Sequence, residues 1–426
     1  MSSLQPDLKS MGEKAKRASR LIGSAGAEQK DKALALLAEH LENHTGMILA
    51  ANALDLREGF AAGLSEAMLD RLSLQGRIQG IAQDVRKIAS LPDPVGEVFD
   101  ESVLPNGLEV AKQRVPIGVL GVIYEARPNV TVDVSALAIK TGNCAILRGG
   151  SETLNSNRAL VNVIHEALNA AGLPADVIQF IDSSDRGLVK ELLLLHDYVD
   201  IIIPRGGANL HKFCRENSTI PVITGGIGIC HLFVDETADL EKALHVIHNA
   251  KTQRPTVCNA LDTLLVHEKA ASRFIPMVVK SLGKDGVKFK VDSEAMKSLK
   301  TSEGAANDVK AANDSMDWDT EWLSLILGIK VVGGLEEAIQ HIQSHSSGHS
   351  DGIITEDEAN ARQFVRAIDS AAVYVNASTR FTDGGQLGLG AEVAISTQKL
   401  HARGPMGLKE LTSYKWVIRG NYHVRK

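Results

Sequence analysis

The sequence predicts an α/β protein built from two doubly wound parallel-sheet domains, with a hairpin and a terminal strand set apart from them. Three observations carry this. Between residues 115 and 217 short apolar runs alternate with amphipathic stretches, the pattern of a parallel sheet covered on both faces by its crossover helices. A second series of the same kind begins near Cys258 and runs to "AAVYVN". Finally, "SVLPNGLEVAKQRVPIG" centres on Asn106-Gly107, a two-residue hairpin signal because both residues tolerate positive φ.

The elements follow in order. Residues 7–90 read as helices, as in "AEQKDKALALLAEHLENHTGMILAAN", where apolar residues recur at three- and four-residue spacing with charges between. The hairpin is either an arm reaching a partner subunit or an ordinary surface hairpin. Then "IGVLGVIY", "NCAILRGG", "VIQFID" and "VDIIIPRGG" read as strands, and "TVDVSALAIKTG", "SETLNSNRALVNVIHEALNAAGLP", "RGLVKELLLL" and "ANLHKFCREN" as the helices that follow them. Ligands of such sheets bind at the carboxyl ends of the strands. Those ends read "YEARPN", "RGGSE" and "PRGGAN", so this half is expected to bind a nucleotide. Gly206, Gly207, Gly225 and Gly226 would let backbone approach it, although neither "GGIG" nor "GLGAE" completes G-x-G-x-x-G. In the second series "NALDTLLV", "LILGIKVV", "GIIT" and "AAVYVN" are strands, and 284–320 is a polar excursion. The end, "LTSYKWVIRGNYHVRK", is expected to be a strand that pairs with the hairpin of a neighbour. The expected division is a cofactor-binding domain over 1–101 and 116–228, a catalytic domain over 229–410, and an oligomerisation arm over 102–115 and 411–426.

With 426 residues, at roughly 150 per domain, the chain has room for two or three domains. Hydrophobic residues at 44% and charged residues at 23% suit a soluble protein with a full core. A net charge of −6 argues against nucleic acid as partner and leaves small anions open, since one pocket can be locally basic. The four cysteines form no C-x-x-C pair, which speaks against zinc and disulfide frameworks and for a reducing compartment. "MSSLQPDLKSMGEKAKRA" lacks an apolar signal-peptide core, and "VPIGVLGVIY" is far shorter than the roughly 20 residues that span a bilayer. A cytoplasmic protein without membrane contact is expected.

"HIQSHSSGHS" spaces His341, His345 and His349 like metal ligands on a helix, but Ser346-Ser347-Gly348 breaks helices and no carboxylate stands at ligand spacing. The stretch is read as a loop without a metal, with His349 in a polar pocket. Cys144, Cys214 and Cys230 lie in apolar or helical contexts and read as packing residues. Cys258 differs. In "NAKTQRPTVCNALDTLLV" it sits at the seam between a proline-broken polar segment and a buried strand, with Arg254 and Lys251 upstream. Basic surroundings raise the thiolate fraction, yet by residue chemistry alone such a cysteine is open between inert and catalytic.

The order of segments resembles the aldehyde dehydrogenase superfamily, in the branch that reduces an acyl phosphate. "RVPIGVLGVIYEARPNVTVD" is similar to that branch's first core strand and turn, and "GNCAILRGGSE" to the strand whose end holds the adenosine ribose. "QRPTVCNALDTLLV" resembles the nucleophile segment and "EWLSLILGIKVV" the segment whose glutamate, here Glu321, holds the nicotinamide ribose. "VYVNASTRFTDGGQLGLGAE" is similar to the substrate-side signature, which assigns Asn376, Ser378, Thr379 and Arg380 to substrate binding, with His349 beside them. The likeness runs collinearly from about residue 10 to the end.

The resemblance implies Cys258 as nucleophile, NADP(H) as cofactor, a homo-oligomer (dimer or tetramer), and L-glutamyl 5-phosphate as the small-molecule substrate of a step in proline biosynthesis. It also points to the upstream glutamate kinase as a partner. Hydrolytic members carry a glutamate base where, or next to where, this chain has Ile223, so water is a poor acyl acceptor here and phosphate exchange is favoured. Arg127 falls at the oxyanion-hole asparagine, with Asn129 two residues on, and a guanidinium there suits a phosphate. Ser151 replaces the carboxylate of NAD-preferring members, leaving room for a 2′-phosphate beside Arg148. Two rivals stay open: an aldehyde dehydrogenase with another substrate or acceptor, and a non-catalytic binding protein of this fold.

Overall fold

The computed structural model describes residues 6–225, 227–300, 308–313 and 316–425. The chain divides into two compact units. One is Met1–Thr224 with Gly388–Ala394 and Met406–Lys426; the other is Gly225–Leu387 with Ile395–Pro405. The first break falls close to the expected 228/229. The expected catalytic stretch is not continuous, however, because two late segments return to the first unit, and the hairpin and terminal strand cluster there too.

In the first unit, five helices (Leu8–Gly23, Ala27–Asn43, Thr45–Ala61, Glu66–Leu72, Ile78–Ser90) precede the sheet. The sheet is parallel, in the order Ile178–Phe180, Cys144–Arg148, Val119–Tyr124, Ile201–Arg205. All residues of Val119–Tyr124 and Cys144–Arg148 are buried, which is why they read as unbroken apolar runs. Asn143 joins the start of this sheet to the chain's late segment: its Oδ1 accepts Gly118 N–H at 2.8 Å and its Nδ2 donates to Leu411 O at 2.8 Å.

The hairpin pairs Val98–Val103 with Glu109–Pro116. Its turn is wider than the two-residue form expected. Leu104 N–H donates to Leu108 O, Gly107 alone of the Asn-Gly pair takes positive φ (87°), and Asn106 uses its side chain to accept Leu108 N–H. The terminal strand Thr412–Arg419 pairs antiparallel with Glu109–Pro116 of its own chain over its full length. Eight registered residue pairs, from Thr412↔Pro116 to Arg419↔Glu109, satisfy that edge of the hairpin within the chain, and the other edge of Thr412–Arg419 carries no strand among the described residues.

The second unit holds a seven-stranded parallel sheet in the order Val309–Ala311, Lys288–Val291, Ile326–Val332, Leu261–His267, Cys230–Val234, Ser350–Ile354, Ala372–Val375. Two pieces of the expected excursion, Lys288–Val291 and Val309–Ala311, therefore belong to the sheet. These two strands, "KFKV" and "VKA", form the partly exposed edge and so lack the apolar run of a central strand. Helices Leu240–Thr252, Glu268–Leu282 and Ser293–Lys300 pack on one face around Phe274, Ile275 and Val278; Leu335–His345 and Glu358–Ala367 cover the other around Phe364 and Ile342. A buried ion pair crosses this core. Lys251 Nζ donates to Leu261 O at 2.8 Å and lies 3.7 Å from Asp262 Oδ1, while Asp262 accepts Trp322 N–H at 3.2 Å. Burial pushes the Asp262 carboxyl up to about 6, against the pull of Lys251. Among the described residues no helix is long and apolar enough to cross a membrane.

Candidate active site

Helix Leu240–Thr252 ends at Gln253, and the chain then turns before the strand Leu261–His267. Ala260 N–H donates to Val257 O at 3.1 Å, which places Cys258 on a tight, half-buried turn at the seam the sequence suggested. The backbone of this turn is held from below. The Cys230 thiol donates to Cys258 O at 3.2 Å, and a Cβ added at Gly228 would collide with the same carbonyl. Gly228 N–H in turn donates to Glu321 Oε1 at 2.9 Å. The last glycine of "GGIG", Gly228, thus admits the Cys258 turn. Gly225, assigned above to a nucleotide, needs its small size because a Cβ would strike Ile395 O, where Gly225 bridges to Ser396. Gly226 lies outside the described residues.

Burial raises the Glu321 carboxyl to about 7, helped by Asp262 and opposed by the Gly228 N–H. Arg380 stands on a 3-10 turn, Thr379–Phe381, with Nε donating to Gln253 Oε1 at 2.8 Å. Burial lowers the pKa of its guanidinium; Arg254 as a like charge adds to this and the Cys258 sulfur opposes it. Cys258 therefore lies within the field of Arg380, which Arg254 shares, an environment that suits an anionic ligand.

The other residues assigned to substrate do different work. Thr379, fully buried, donates its hydroxyl to Asn259 O at 2.7 Å, and Ser378 Oγ accepts Arg380 N–H at 3.3 Å. Asn376, at φ 54°, spends both amide atoms on the backbone of Thr355, at 2.9 Å each. These three shape the turn that presents Arg380, because their hydrogen-bonding groups are already engaged. His349 is fully buried, its Nδ1 2.8 Å from Ser350 Oγ, and burial pushes its imidazole down to about 4, so it is a neutral core histidine rather than a ligand-facing one. The loop reading of "HIQSHSSGHS" is also corrected: helix Leu335–His345 carries His341 and His345 and stops at Ser346, where the break signal stood. No group of three or more His, Cys, Asp or Glu among the described residues is placed to hold a metal.

In the first unit, Arg127 is exposed at the end of strand Val119–Tyr124. Asn129 Nδ2 donates one of its two N–H groups to Asp133 Oδ2 at 2.8 Å, one turn along its own helix. Arg148 is buried to 5% exposure and donates from its guanidinium to the carbonyls of Gly149, Ser184 and Asp185. Ser151 is exposed next to it. Gly206 packs against Glu125, whereas a Cβ at Gly207 would meet nothing within 4 Å. Gly207 precedes helix Ala208–Asn217 and donates its N–H to Glu125 Oε2 at 3.2 Å. Ile223 is buried, its N–H on Ile202 O at 2.8 Å. Within the first unit, the exposed hydroxyl of Ser151 and the buried Nε of Arg148, which has no partner among the described residues, are groups that fit the adenosine end of a nicotinamide dinucleotide.

The aldehyde dehydrogenase family profile matches residues 2–316, and the chain belongs to that family, whose enzymes use nicotinamide cofactors; it is an oxidoreductase with a small-molecule substrate. Within the family the likeness is to gamma-glutamyl phosphate reductases. One from Vibrio vulnificus is 59% identical over 98% of this chain and 100% of its own, and one from Roseiflexus castenholzii is 57% identical over 98% and 99%. The crystal structure of the gamma-glutamyl phosphate reductase of Thermotoga maritima superposes with a TM-score of 0.95 at 48% identity, covering 99% of this chain and all of that one. An acetylating aldehyde dehydrogenase from Geobacillus thermoglucosidasius, at 20% identity and TM-score 0.70 over 99% and 98%, shares the fold.

Because folding raises the Glu321 carboxyl from 4.5 to about 7, the folded chain keeps a proton there that the unfolded chain has lost. Stability from this group therefore falls as pH rises through that window. Allowing for partial exposure, the loss is on the order of 1–2 kcal/mol. Urea midpoints at pH 5 and pH 7.5 should drop more in the wild type than in Glu321→Gln; equal drops would show that the carboxyl titrates normally.

Proposed function

We propose that this chain reduces L-glutamyl 5-phosphate to L-glutamate 5-semialdehyde and phosphate with NADPH, the second step of proline biosynthesis, through a thioester on Cys258. The observation that carries the reading is the Cys258 turn, pinned by Cys230 and Gly228 and lying in the field of Arg380. The Cys258 thiolate attacks the acyl carbonyl; the bond to the phosphate oxygen breaks and phosphate leaves, giving the thioester. The Cys258 backbone N–H is a donor for the oxyanion that forms, and Arg127 of the first unit is assigned to the substrate's phosphate. When bound, the dihydronicotinamide supplies the hydride that reduces the thioester, and Glu321 is assigned to its ribose. The thiohemiacetal then collapses, releasing the aldehyde and restoring the Cys258 thiol. An apolar Ile223 in the region of the hydrolytic base supports phosphate rather than water as the acyl partner.

Preference for NADP over NAD rests on Ser151, whose exposed hydroxyl stands where a carboxylate would repel a 2′-phosphate. Assembly as a homo-oligomer through the hairpin and terminal strand belongs to the same proposal. Tyr414, Trp416 and Ile418 leave one face of the terminal strand about half exposed or more, a contiguous apolar stripe on a sheet edge. A cytoplasmic location and docking with the upstream glutamate kinase, which would shield a labile acyl phosphate from water, complete it.

Three outcomes test this reading. Cys258→Ala should abolish phosphate-dependent reduction of NADP by glutamate semialdehyde while NADPH still binds by fluorescence titration; wild-type-like turnover would sink the thioester. Arg380→Ala, compared with Arg380→Lys, should lose about 2–3 kcal/mol in kcat/KM on glutamate semialdehyde and much less on an uncharged aldehyde of similar length. Equal losses would make Arg380 a residue of the fold. Trp416→Arg should shift the particle towards monomer in sedimentation, and an unchanged sedimentation coefficient would rule out this face as the interface.

A further inference from the structure

The residue after the nucleophile does something that neither the sequence nor the assignments above account for. Asn259 is 4% exposed and is clasped to the segment around Arg380 in both directions. Its carbonyl accepts Thr379 Oγ1–H at 2.7 Å, and its Nδ2 donates to Thr382 O at 2.9 Å and to Arg380 O at 3.3 Å. The far side of this clasp is itself anchored. Thr382, fully buried, has its hydroxyl 2.6 Å from Ser350 Oγ and 2.6 Å from Tyr374 OH, so it is tied to the strands Ser350–Ile354 and Ala372–Val375. The side chain of Arg380 reaches back to Gln253, five residues before Cys258. Arg380 is thus fixed through its backbone from one side of the nucleophile turn and through its guanidinium from the other. Asn259 Oδ1 is buried with no partner among the described residues, an arrangement that stability alone would not favour.

We propose that Asn259, with Thr379 as its counterpart, is a positioning residue that sets the separation between Cys258 and Arg380 and so selects the length of the substrate. The inference rests on the reading of Cys258 as nucleophile and Arg380 as the residue that holds the charged end of the substrate. A substrate that reacts at one terminus and is held by charge at the other must match that separation to within less than one methylene. A turn free to move by an ångström would accept a shorter homologue.

The experiment compares glutamate 5-semialdehyde with aspartate 4-semialdehyde, one methylene shorter, in phosphate-dependent NADP reduction by the full-length enzyme. The wild type should favour the longer aldehyde by at least 100-fold in kcat/KM. Asn259→Ala and Thr379→Val, the latter an isosteric loss of one donor, should each lower kcat/KM on the longer aldehyde by 10-fold or more and compress the ratio below 10. The KM for NADP should stay within twofold. Thr379→Ser keeps the donor and should restore both rate and ratio. A role confined to stability would lower the melting temperature and the active fraction while leaving the ratio and the aldehyde KM unchanged, and that result overturns the proposal. Should Asn259→Ala not fold, the Thr379→Val and Thr379→Ser pair decides. A wild type that turns over neither aldehyde refutes the function itself; an active wild type whose preference survives both substitutions refutes only the positioning role.

Discussion

The second unit is organised around the carbonyl oxygen of Cys258. A backbone atom with no side chain in the way, at Gly228, lies against it, and a thiol from the next strand points at it. These contacts fix the peptide of Cys258 while the residue stays half-buried, an immobile backbone that suits the nucleophile role proposed for it. The same Gly228 peptide faces the carboxyl of Glu321, so Cys258 and the carboxyl proposed for the cofactor share one piece of backbone. Any substitution at 228 would disturb both.

Under this layer sits an ion pair that the protein keeps at a desolvation cost. Lys251 and Asp262 are buried at 0% and 2% exposure, and hydrophobic replacements of matched shape are often no less stable than such pairs. What the pair does is join three segments: the helix before the nucleophile, the strand after it, and the start of the Glu321 segment through Trp322 N–H. Asp262 lies where the register between Cys230–Val234 and Leu261–His267 shifts. The charge thus marks an irregularity beside the site, which a uniformly apolar strand would have smoothed out.

Most of the scaffold was legible. Apolar runs such as "IGVLGVIY" and "LILGIKVV" are buried strands because parallel sheets covered on both faces tolerate nothing else, and glycine or proline punctuates their ends. Edge strands escaped this logic: "KFKV" is half solvated and so looked like an excursion. At the site, Cys258 was found by its position at a seam, and its neighbours Glu321 and Arg380 by resemblance. The structure adds backbone partners for Ser378, Thr379 and Asn376 and a buried place for His349 that sequence could not show. Short polar side chains near a reactive residue bind ligand or backbone with equal ease, and sequence does not separate the two. Asn259 and Asp262 were missed, Cys230 was read only as packing, and Lys251 was read as a basic neighbour of Cys258 rather than as the partner of Asp262; an aspartate inside "NALDTLLV" was a usable signal, since a charge in a buried strand implies a partner.

The first unit is closed by chain that comes late. Gly388–Ala394 and Met406–Lys426 belong to it, and Thr412–Arg419 pairs with Glu109–Pro116 across some three hundred residues of sequence. On the ribosome, the first two hundred residues must wait with an open strand edge at 109–116 until the entire sheet carrying Cys258 has been made. The second unit, formed from nearly contiguous chain, has no such delay. Vectorial synthesis therefore favours early maturation of the unit that carries Cys258, while the strand edge at 109–116 stays unpaired until the last residues emerge.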